Sequence, residues 1–314
     1  MSTIDLQHRF HLTPGHCLLA LLAVEFLLFL LQWFRWLPKG WPVLIAVASV
    51  GVVVLGMFVW FGVAVVLGRR FQFSIRSLLA LVLVVAVPCS WMAVDLKKAR
   101  EQNTVASAIV GAGGAVFYDY QISGQNMINI AGRMPLVPRW LQNSLGTDLF
   151  ADVVGAAVDN DDSIARLIEL RHLRLLFLGL KDPYMTTGGM GLSFGDDKIT
   201  DTGLRYLEGL GHLEGVHLTG SKLTNSGLEH LRGVPHLKIL CIWCPSVTDD
   251  GLRCIGSLST VEDLQIDSPE VTDEGLRHLY GMPRLTKLEI YNSQVTDAGV
   301  AKLQQALPNC KITH

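Results

Sequence analysis

The sequence predicts an α/β fold: a solenoid with one parallel β-strand and one helix in each 24-residue repeat, preceded by an all-α transmembrane region of about three helices. Three observations carry this prediction. A short motif returns at a constant interval in the C-terminal half, a strand-like apolar pattern recurs in phase with it, and three long apolar runs lie within residues 1–94.

The repeated motif is an apolar residue followed by Thr-Asp/Asn-x-Gly-Leu/Val. It begins at residues 199, 223, 247, 271 and 295, so all of its successive starts share one 24-residue period. Self-similarity at a fixed period of this length is typical of solenoid proteins. We expect the Thr hydroxyl to cap the first free N–H groups of a short helix. The Asp then lies in the first turn, where the helix dipole favours negative charge.

The second pattern is Leu-x-x-Leu-x-Leu with conservative variations, beginning at residues 213, 237, 261 and 285. Alternation along each strand sends two apolar side chains inward and the residues beside them outward. A degenerate earlier unit in residues 159–178 matches the unit ending at Leu218 at an offset of 40, which is one period plus an inserted segment. The predicted repeat domain is therefore 159–314, with an insertion loop at about 179–198.

The apolar runs predict transmembrane helices at residues 17–36, 43–67 and 77–94, within an N-terminal membrane region of residues 1–94. A helix needs about 20 apolar residues to cross a hydrocarbon core of roughly 30 Å. Glu25 interrupts the first run. The dense basic cluster of Arg69, Arg70 and Arg76 favours a cytoplasmic position for that flank, which places the C-terminal domain outside the cytoplasm.

Residues 95–158 join the two parts. We expect a juxtamembrane helix continuing to Val110, a strand at 115–122 and a short helix at 140–145. A solenoid exposes the edge of its first strand, and such edges need cover. This segment is therefore predicted to be the N-terminal cap.

The net charge of −2 is the sum of +4 over residues 1–94 and −6 over the rest. Nucleic-acid binding needs clustered Lys and Arg, and the acidic C-terminal part has no basic stripe, so a nucleic-acid partner is not expected. Apolar residues make up 50% of the chain, which excludes full intrinsic disorder.

No motif predicts a catalytic, cofactor or metal site. Cys241 and Cys244 resemble a dithiol motif, but they end a strand instead of opening a helix, and no second Cys or His pair completes a zinc site. His217 could suggest acid–base catalysis, but the sequence contains no recognisable nucleophile motif to accompany it. We therefore predict a protein that is not an enzyme and has no cofactor.

The repeats resemble leucine-rich repeats of the 24-residue type with a Thr-Asp-x-Gly-Leu helix start, related to the cysteine-containing and ribonuclease-inhibitor-like groups. The segments Phe71-Gln-Phe-Ser-Ile-Arg, Gly113-Gly-Ala-Val-Phe-Tyr-Asp-Tyr and Leu307-Pro-Asn-Cys-Lys-Ile resemble a group of bacterial membrane-anchored leucine-rich-repeat proteins. The resemblance implies an interaction module in the bacterial inner membrane, with no assigned reaction. The repeats lack the usual Asn ladder, which is replaced by Ser221, Pro245, Pro269 and Ser293.

Outward residues of the strands form the predicted concave face, where solenoids commonly bind partners. We predict that this face recognises an unknown protein or peptide while the N-terminal helices contact the lipid bilayer. Alternatives are a membrane scaffold that self-associates through its transmembrane helices, or an accessory subunit of a membrane enzyme or transporter. The cap or the insertion loop could instead cover the apolar residues of the face. The predicted binding residues are Phe177, His217, Ile239, Cys241, Trp243, Asp263, Gln265, Asp267, Lys287, Glu289 and Tyr291.

Overall fold

The computed structural model describes residues 39–66, 75–123, 127–128, 137–170, 172–179 and 198–314. The chain divides into two compact units. The first comprises Met1–Arg100 and Leu136–Phe150, and the second comprises Glu101–Pro135 and Ala151–His314. The predicted insertion loop lies almost wholly outside the described residues.

The first unit is helical. Its elements are α1 (Trp41–Val66), the first part of α2 (Ile75–Gly111) and α3 (Arg139–Leu145). Lys39 Nζ donates a hydrogen bond to the Asp148 carbonyl at 3.0 Å. A small apolar cluster holds the unit together, with Trp41 and Leu141 packed against its buried residues, which are Ala99, Val137, Leu149 and Phe150.

The predicted transmembrane region is not supported by the structure. Residues 17–36, the first predicted span, lie outside the described residues. The second and third predicted spans, 43–67 and 77–94, fall largely within α1 and α2. Across the described ranges, however, no helix combines the length and the apolar character needed to cross a membrane.

The second unit is built on an eight-stranded sheet in the order β1, β4, β5, β6, β7, β8, β9, β10. Only the β1 and β4 pair is antiparallel; the other described neighbours in this sheet are parallel. A separate ribbon pairs β2 (Ile122–Ser123) with β3 (Met127–Ile128). The strands of the large sheet are β1 (Ala115–Tyr118), β4 (Val153–Val158), β5 (Leu175–Leu178), β6 (Gly215–Thr219), β7 (Ile239–Trp243), β8 (Asp263–Asp267), β9 (Lys287–Tyr291) and β10 (Lys311–Thr313).

Short helices follow the strands on one side of the sheet, and several tighten into a 3₁₀ turn. They are α4 (Asp161–Arg166), α5 (Asp201–Leu204), α6 (Asn225–Leu228), α7 (Asp249–Ile255), α8 (Asp273–Leu276) and α9 (Asp297–Ala306). Their leucines and the inward strand residues form one continuous core. Leu204, Leu240 and Leu264 are all 0% exposed in this core, as the two sequence patterns predict. The repeat architecture is therefore a solenoid that resembles those of leucine-rich repeats.

The strand register confirms the offset of 40, since Leu176 and Leu178 pair with Val216 and Leu218. The parallel series begins one strand before residue 159, because β4 pairs in parallel with β5. Antiparallel β1 then covers the open edge of β4. At the other end, β10 adds to β9 in parallel.

An inter-repeat ladder joins the starts of successive helices. The acidic or amide residue of one repeat accepts the backbone N–H of the Thr in the next repeat, at 2.8 to 3.0 Å. The Thr hydroxyl donates to the second oxygen of the Asp at 2.6 to 2.7 Å. The five steps are Asp161 to Thr200, Asp201 to Thr224, Asn225 to Thr248, Asp249 to Thr272, and Asp273 to Thr296.

In one step of the ladder, the hydrogen bond between the two side chains runs in the opposite direction. Asn225 has an amide where the other steps have a carboxylate, so its Nδ2 donates to Thr248 Oγ1 at 2.8 Å. In three of the Asp steps, the Thr hydroxyl also accepts from an N–H in its own helix, that of Ser226, Glu274 or Gly299. The Thr hydroxyl thus caps its own helix, as predicted, and also bonds to the neighbouring coil.

The Gly of the motif makes room for the ladder. A Cβ atom on Gly203, Gly227 or Gly275 would lie less than 3.0 Å from the Asp side chain of the preceding repeat. The sequence predicts the Thr cap but not this steric requirement, because the Asp and the Gly that meet belong to different repeats.

The loops that replace the Asn ladder satisfy their carbonyls with other side chains. Ser246 Oγ donates to the Ser221 carbonyl at 3.0 Å, and Gln294 Nε2 donates to the Pro269 carbonyl at 2.7 Å. Ser268, which is fully buried, donates to the Val247 carbonyl at 2.6 Å. Each bond links neighbouring coils, so the backbone turns are held without a repeating Asn.

Replacing Asp249 with Ala is expected to lower the free energy of unfolding by about 1.5 to 3 kcal/mol, the range for hydrogen bonds to charged groups. Urea unfolding of the full chain measures this. Asp250→Ala is the matched control, because Asp250 is 69% exposed and its contact is an ion pair with Arg253 at 3.3 Å, within its own helix. A change within about 0.5 kcal/mol is expected for the control. Equal effects of the two substitutions would contradict the ladder.

The ladder also predicts acid sensitivity. The backbone N–H and hydroxyl of Thr296 hold the pKa of Asp273 below its ordinary value. A lowered pKa in the folded state contributes stability that is present above the ordinary carboxyl pKa and is lost as the pH falls through the lowered value. Asp273→Asn, which reproduces the Asn225 step, is expected to reduce the loss of stability on acidification, measured by urea unfolding from pH 6 to pH 3. An unchanged pH dependence would contradict this assignment.

Candidate functional site

The side of the sheet opposite the helices, here called the sheet face, carries every residue predicted to bind a partner. In-register pairing arranges these side chains in three rows across the strands. The first row is Gly155, Leu175, Gly215, Ile239, Asp263 and Lys287. The second is Ala157, Phe177, His217, Cys241, Gln265 and Glu289. The third, here called the aromatic row, is Thr219, Trp243, Asp267 and Tyr291.

The N-terminal half of the sheet face is buried. Phe117 of β1 is 0% exposed and meets Phe177 edge to face, with ring centroids 6.0 Å apart. Phe177, only 3% exposed, stacks on His217 at 4.5 Å. Ala115 and Ile122 pack against the same cluster. Phe177 is therefore a core residue and not an exposed anchor. For this residue the alternative prediction holds, in which the N-terminal cap covers the apolar residues of the face.

Two glycines allow this cover. A Cβ on Gly155 would lie 3.2 Å from Phe117, and one on Gly215 would lie 2.6 Å from the Leu175 side chain. Both positions are therefore left open for a neighbouring apolar side chain. Glycine inside a strand often marks such a close approach, so Gly155 and Gly215 are the signal in the sequence that could have revealed the buried half.

Burial favours the neutral forms of the two ionisable groups in the middle of the face. It lowers the pKa of His217 to about 4, so the stacked imidazole is neutral at physiological pH. Burial also raises the pKa of the Cys241 thiol, which donates to Gln265 Oε1 at 3.4 Å. Cys244 lies on the opposite side of the strand and contacts the Leu218 carbonyl. The Cys-x-x-Cys pair is thus split between two faces.

The structure shows no metal-binding cluster of three or more His, Cys, Asp or Glu side chains in the ranges that it describes. The C-terminal half of the sheet face is instead an ion-pair network. Lys287 Nζ lies 3.0 Å from Glu289 Oε2 and 3.5 Å from Asp263 Oδ2.

Burial and charge act together on this network. Burial alone would lower the pKa of Lys287, but the bond to Glu289 and the two neighbouring carboxylates raise it overall. Burial is also the main reason that the pKa of Asp263 is raised. Asp263 Oδ1 is buried without a hydrogen-bond partner among the described residues. Lys287 therefore stays charged, and one buried acceptor beside it is unsatisfied.

The aromatic row is the more open part. Trp243 and Asp267 are partly exposed, and Tyr291 is 44% exposed. Asn292 Nδ2 donates to both carboxylate oxygens of Asp267, at 3.0 and 2.9 Å. Its backbone has φ of 45°, a left-handed conformation that Asn tolerates better than most residues. Thr219, at the start of the row, is 2% exposed and its Oγ1 has no partner among the described residues.

The structure therefore brings the predicted site residues onto one face but separates them by environment. Phe177 and Cys241 are buried, whereas Ile239, Trp243 and the outward residues of β8 and β9 are partly accessible. Sequence reasoning missed Phe117, which seals one half, and Asn292, which orients Asp267. Neither residue belongs to the repeating pattern, since Phe117 precedes it and Asn292 occupies a loop position that varies between repeats.

No protein-family model matches the chain, and no curated protein matches it. Among solved structures, it is similar to a leucine-rich-repeat protein of Leptospira interrogans, at 15% identity and a TM-score of 0.29, over 48% of this chain and 33% of that one. It is also similar to an internalin from Listeria monocytogenes, at 15% identity and a TM-score of 0.32, over 54% and 48% of the two chains. The chain thus spans between a third and a half of these structures.

Replacing Phe117 with Ala is expected to lower the free energy of unfolding by about 3 to 5 kcal/mol, because Phe117 is a fully buried aromatic residue. It is also expected to raise the pKa of His217 towards its ordinary value, since water then reaches the stack. Urea unfolding and NMR titration of His217 measure the two effects. Trp140→Ala is the control, because Trp140 is 67% exposed. An unchanged His217 pKa would contradict the assignment of Phe117 as the residue that shields His217 from water.

Proposed function

We propose that the protein is a non-enzymatic recognition module that binds a protein or peptide on the C-terminal half of its sheet face. One observation carries the proposal: accessible aromatic and charged side chains stand in register on adjacent strands, while the N-terminal half of the same face is filled by the chain's own apolar residues. Aromatic anchors surrounded by polar groups are typical of binding hot spots.

The sheet is well suited to this role because its strands are fixed in place before a partner binds. Each accessible strand is bonded to a strand on both sides, and the Asp and Thr ladder ties successive helices. A preorganised surface loses little conformational entropy on binding. The neutral stacked His217 and the raised thiol pKa of Cys241 argue against acid–base or thiol chemistry on this face.

Membrane anchoring is part of the proposal and rests on the sequence. Residues 43–67 contain no charged side chain, which is the sequence feature that supports this part of the proposal. We propose that the N-terminal helices anchor the protein in a bacterial inner membrane with the repeats outside the cytoplasm. Self-association through these helices and a role as an accessory subunit are the competing proposals. Resistance of the full chain to alkaline extraction from membranes supports anchoring, and its release contradicts anchoring.

Cross-linking mass spectrometry in native membranes tests recognition by comparing wild type with Trp243→Glu. The matched control is Tyr206→Glu, because Tyr206 is an aromatic residue on the helical side with 39% exposure. We expect Trp243→Glu to lose at least one specific partner that Tyr206→Glu retains, with both variants keeping the circular dichroism of wild type. An identical set of partners for all three proteins would overturn recognition through the sheet face.

A further inference from the structure

We propose that Trp243, Asp267 and Tyr291 form a subsite for a positively charged side chain, an arginine or a lysine, of the bound peptide. This inference rests on the proposed function, because it names the chemistry of the partner that the sheet face recognises. Its basis is a carboxylate flanked by two aromatic side chains on adjacent, in-register strands.

The strand register places one aromatic residue on each side of the carboxylate. Trp243 pairs with Asp267, and Asp267 pairs with Tyr291. Neighbouring strands are about 4.8 Å apart, so the backbones of Trp243 and Tyr291 each lie one strand spacing from that of Asp267, which leaves both rings in reach of a cation at its carboxylate. Cation–π attraction acts within about 6 Å of a ring centroid, and it is strongest for Trp and favours Arg among protein cations. A cation at this point is attracted by both rings and by the carboxylate.

The carboxylate is oriented before binding. Asn292 Nδ2 contacts both oxygens of Asp267, at 3.0 and 2.9 Å. A carboxylate has about four acceptor positions, so each oxygen keeps capacity for a further donor. Because Asn292 Nδ2 lies between the two oxygens, a guanidinium or ammonium group donates to the free outer position of one oxygen. The contact with Asn292 therefore fixes the acceptor without filling it.

The charge of the face disfavours an anionic ligand and leaves Asp267 without a neighbouring cation on the described strands. The three rows contain three carboxylates, on Asp263, Asp267 and Glu289, and one ammonium group, on Lys287, which gives −3 + 1 = −2. Lys287 contacts Asp263 and Glu289. Phosphate groups of a lipid or a nucleic acid would face net repulsion, whereas a basic peptide supplies the missing positive charge.

A second observation also indicates a polar ligand near this row. Thr219 Oγ1 lies beside Trp243 in the same row, is almost fully buried, and has no hydrogen-bond partner among the described residues. Asp263 Oδ1, in the first row, is likewise a buried acceptor without a described partner. Unsatisfied buried polar atoms cost free energy until a partner arrives. A peptide backbone crossing the rows can supply such partners.

The test uses the full chain in detergent with N-acetyl-arginine amide as the probe, and it follows the Trp243 indole signal by NMR. Because the chain has seven tryptophans, Trp243→Phe assigns that signal. The probe is expected to shift the signal in a saturable way. The citrulline analogue, which has nearly the same shape and no charge, is expected to bind at least about tenfold more weakly because it cannot form a charge-assisted pair.

Asp267→Asn is expected to weaken arginine binding by at least about tenfold, since it removes the negative charge and replaces one acceptor oxygen with an NH2 donor. Asp250→Asn, on the helical side, is the control and should leave binding unchanged. The urea midpoints of both variants should match wild type, which separates loss of the subsite from loss of the fold. Equal binding of arginine and citrulline amides, or full binding by Asp267→Asn, would overturn the subsite.

The same variants separate this inference from the proposed function. In native membranes, a partner that is lost with Trp243→Glu but kept with Asp267→Asn supports recognition by the sheet face and overturns the cationic subsite. A partner lost with both supports both proposals. If neither variant loses a partner, both proposals fail.

Discussion

The hydrogen bonds between one repeat's Asp and the next repeat's Thr are the constraint on which the rest of the solenoid depends. Each coil supplies an acceptor to the coil after it and a donor pair to the coil before it. This fixes the rotation between neighbouring coils, and the leucines beneath then meet at one depth. In-register strands follow from that stacking, and with them the straight rows of the sheet face.

The repeating part of the structure was predictable because its signals are local and recur. The period, the inward leucines and the closing strand all follow from alternation and spacing within a single repeat. The ladder was not predictable in this way, because it joins residues of different repeats. The Asp249 side chain lies against Gly275 of the next repeat, and the Thr cap within a single repeat gives no sign of that contact. The seal by Phe117 was missed for a similar reason: β1 precedes the repeats, and its antiparallel pairing with β4 leaves no periodic trace.

The sheet face has two halves with the same backbone geometry and different side chains. Its N-terminal strands carry small or apolar residues, such as Ala157 and Phe177, and they serve as core beneath the cap. Its C-terminal strands carry Asp263, Lys287 and Glu289, whose charges remain partly accessible. The backbone is the same throughout, so the change from a buried to a partly accessible surface follows the side chains that occupy the outward positions.

The ladder has a consequence for how such a chain can change its length. Because every repeat contains both an acceptor and its complementary donors, whole coils can be added or removed and the new neighbours still bond. Adding or removing a fraction of a coil would separate the Asp from its Thr partner. The segment between β5 and α5 satisfies this rule, because Asp161 and Thr200 still bond at a sequence separation of 39, against 23 for Asp201 and Thr224. Extra chain is tolerated where it leaves the stack and returns to the same hydrogen bonds.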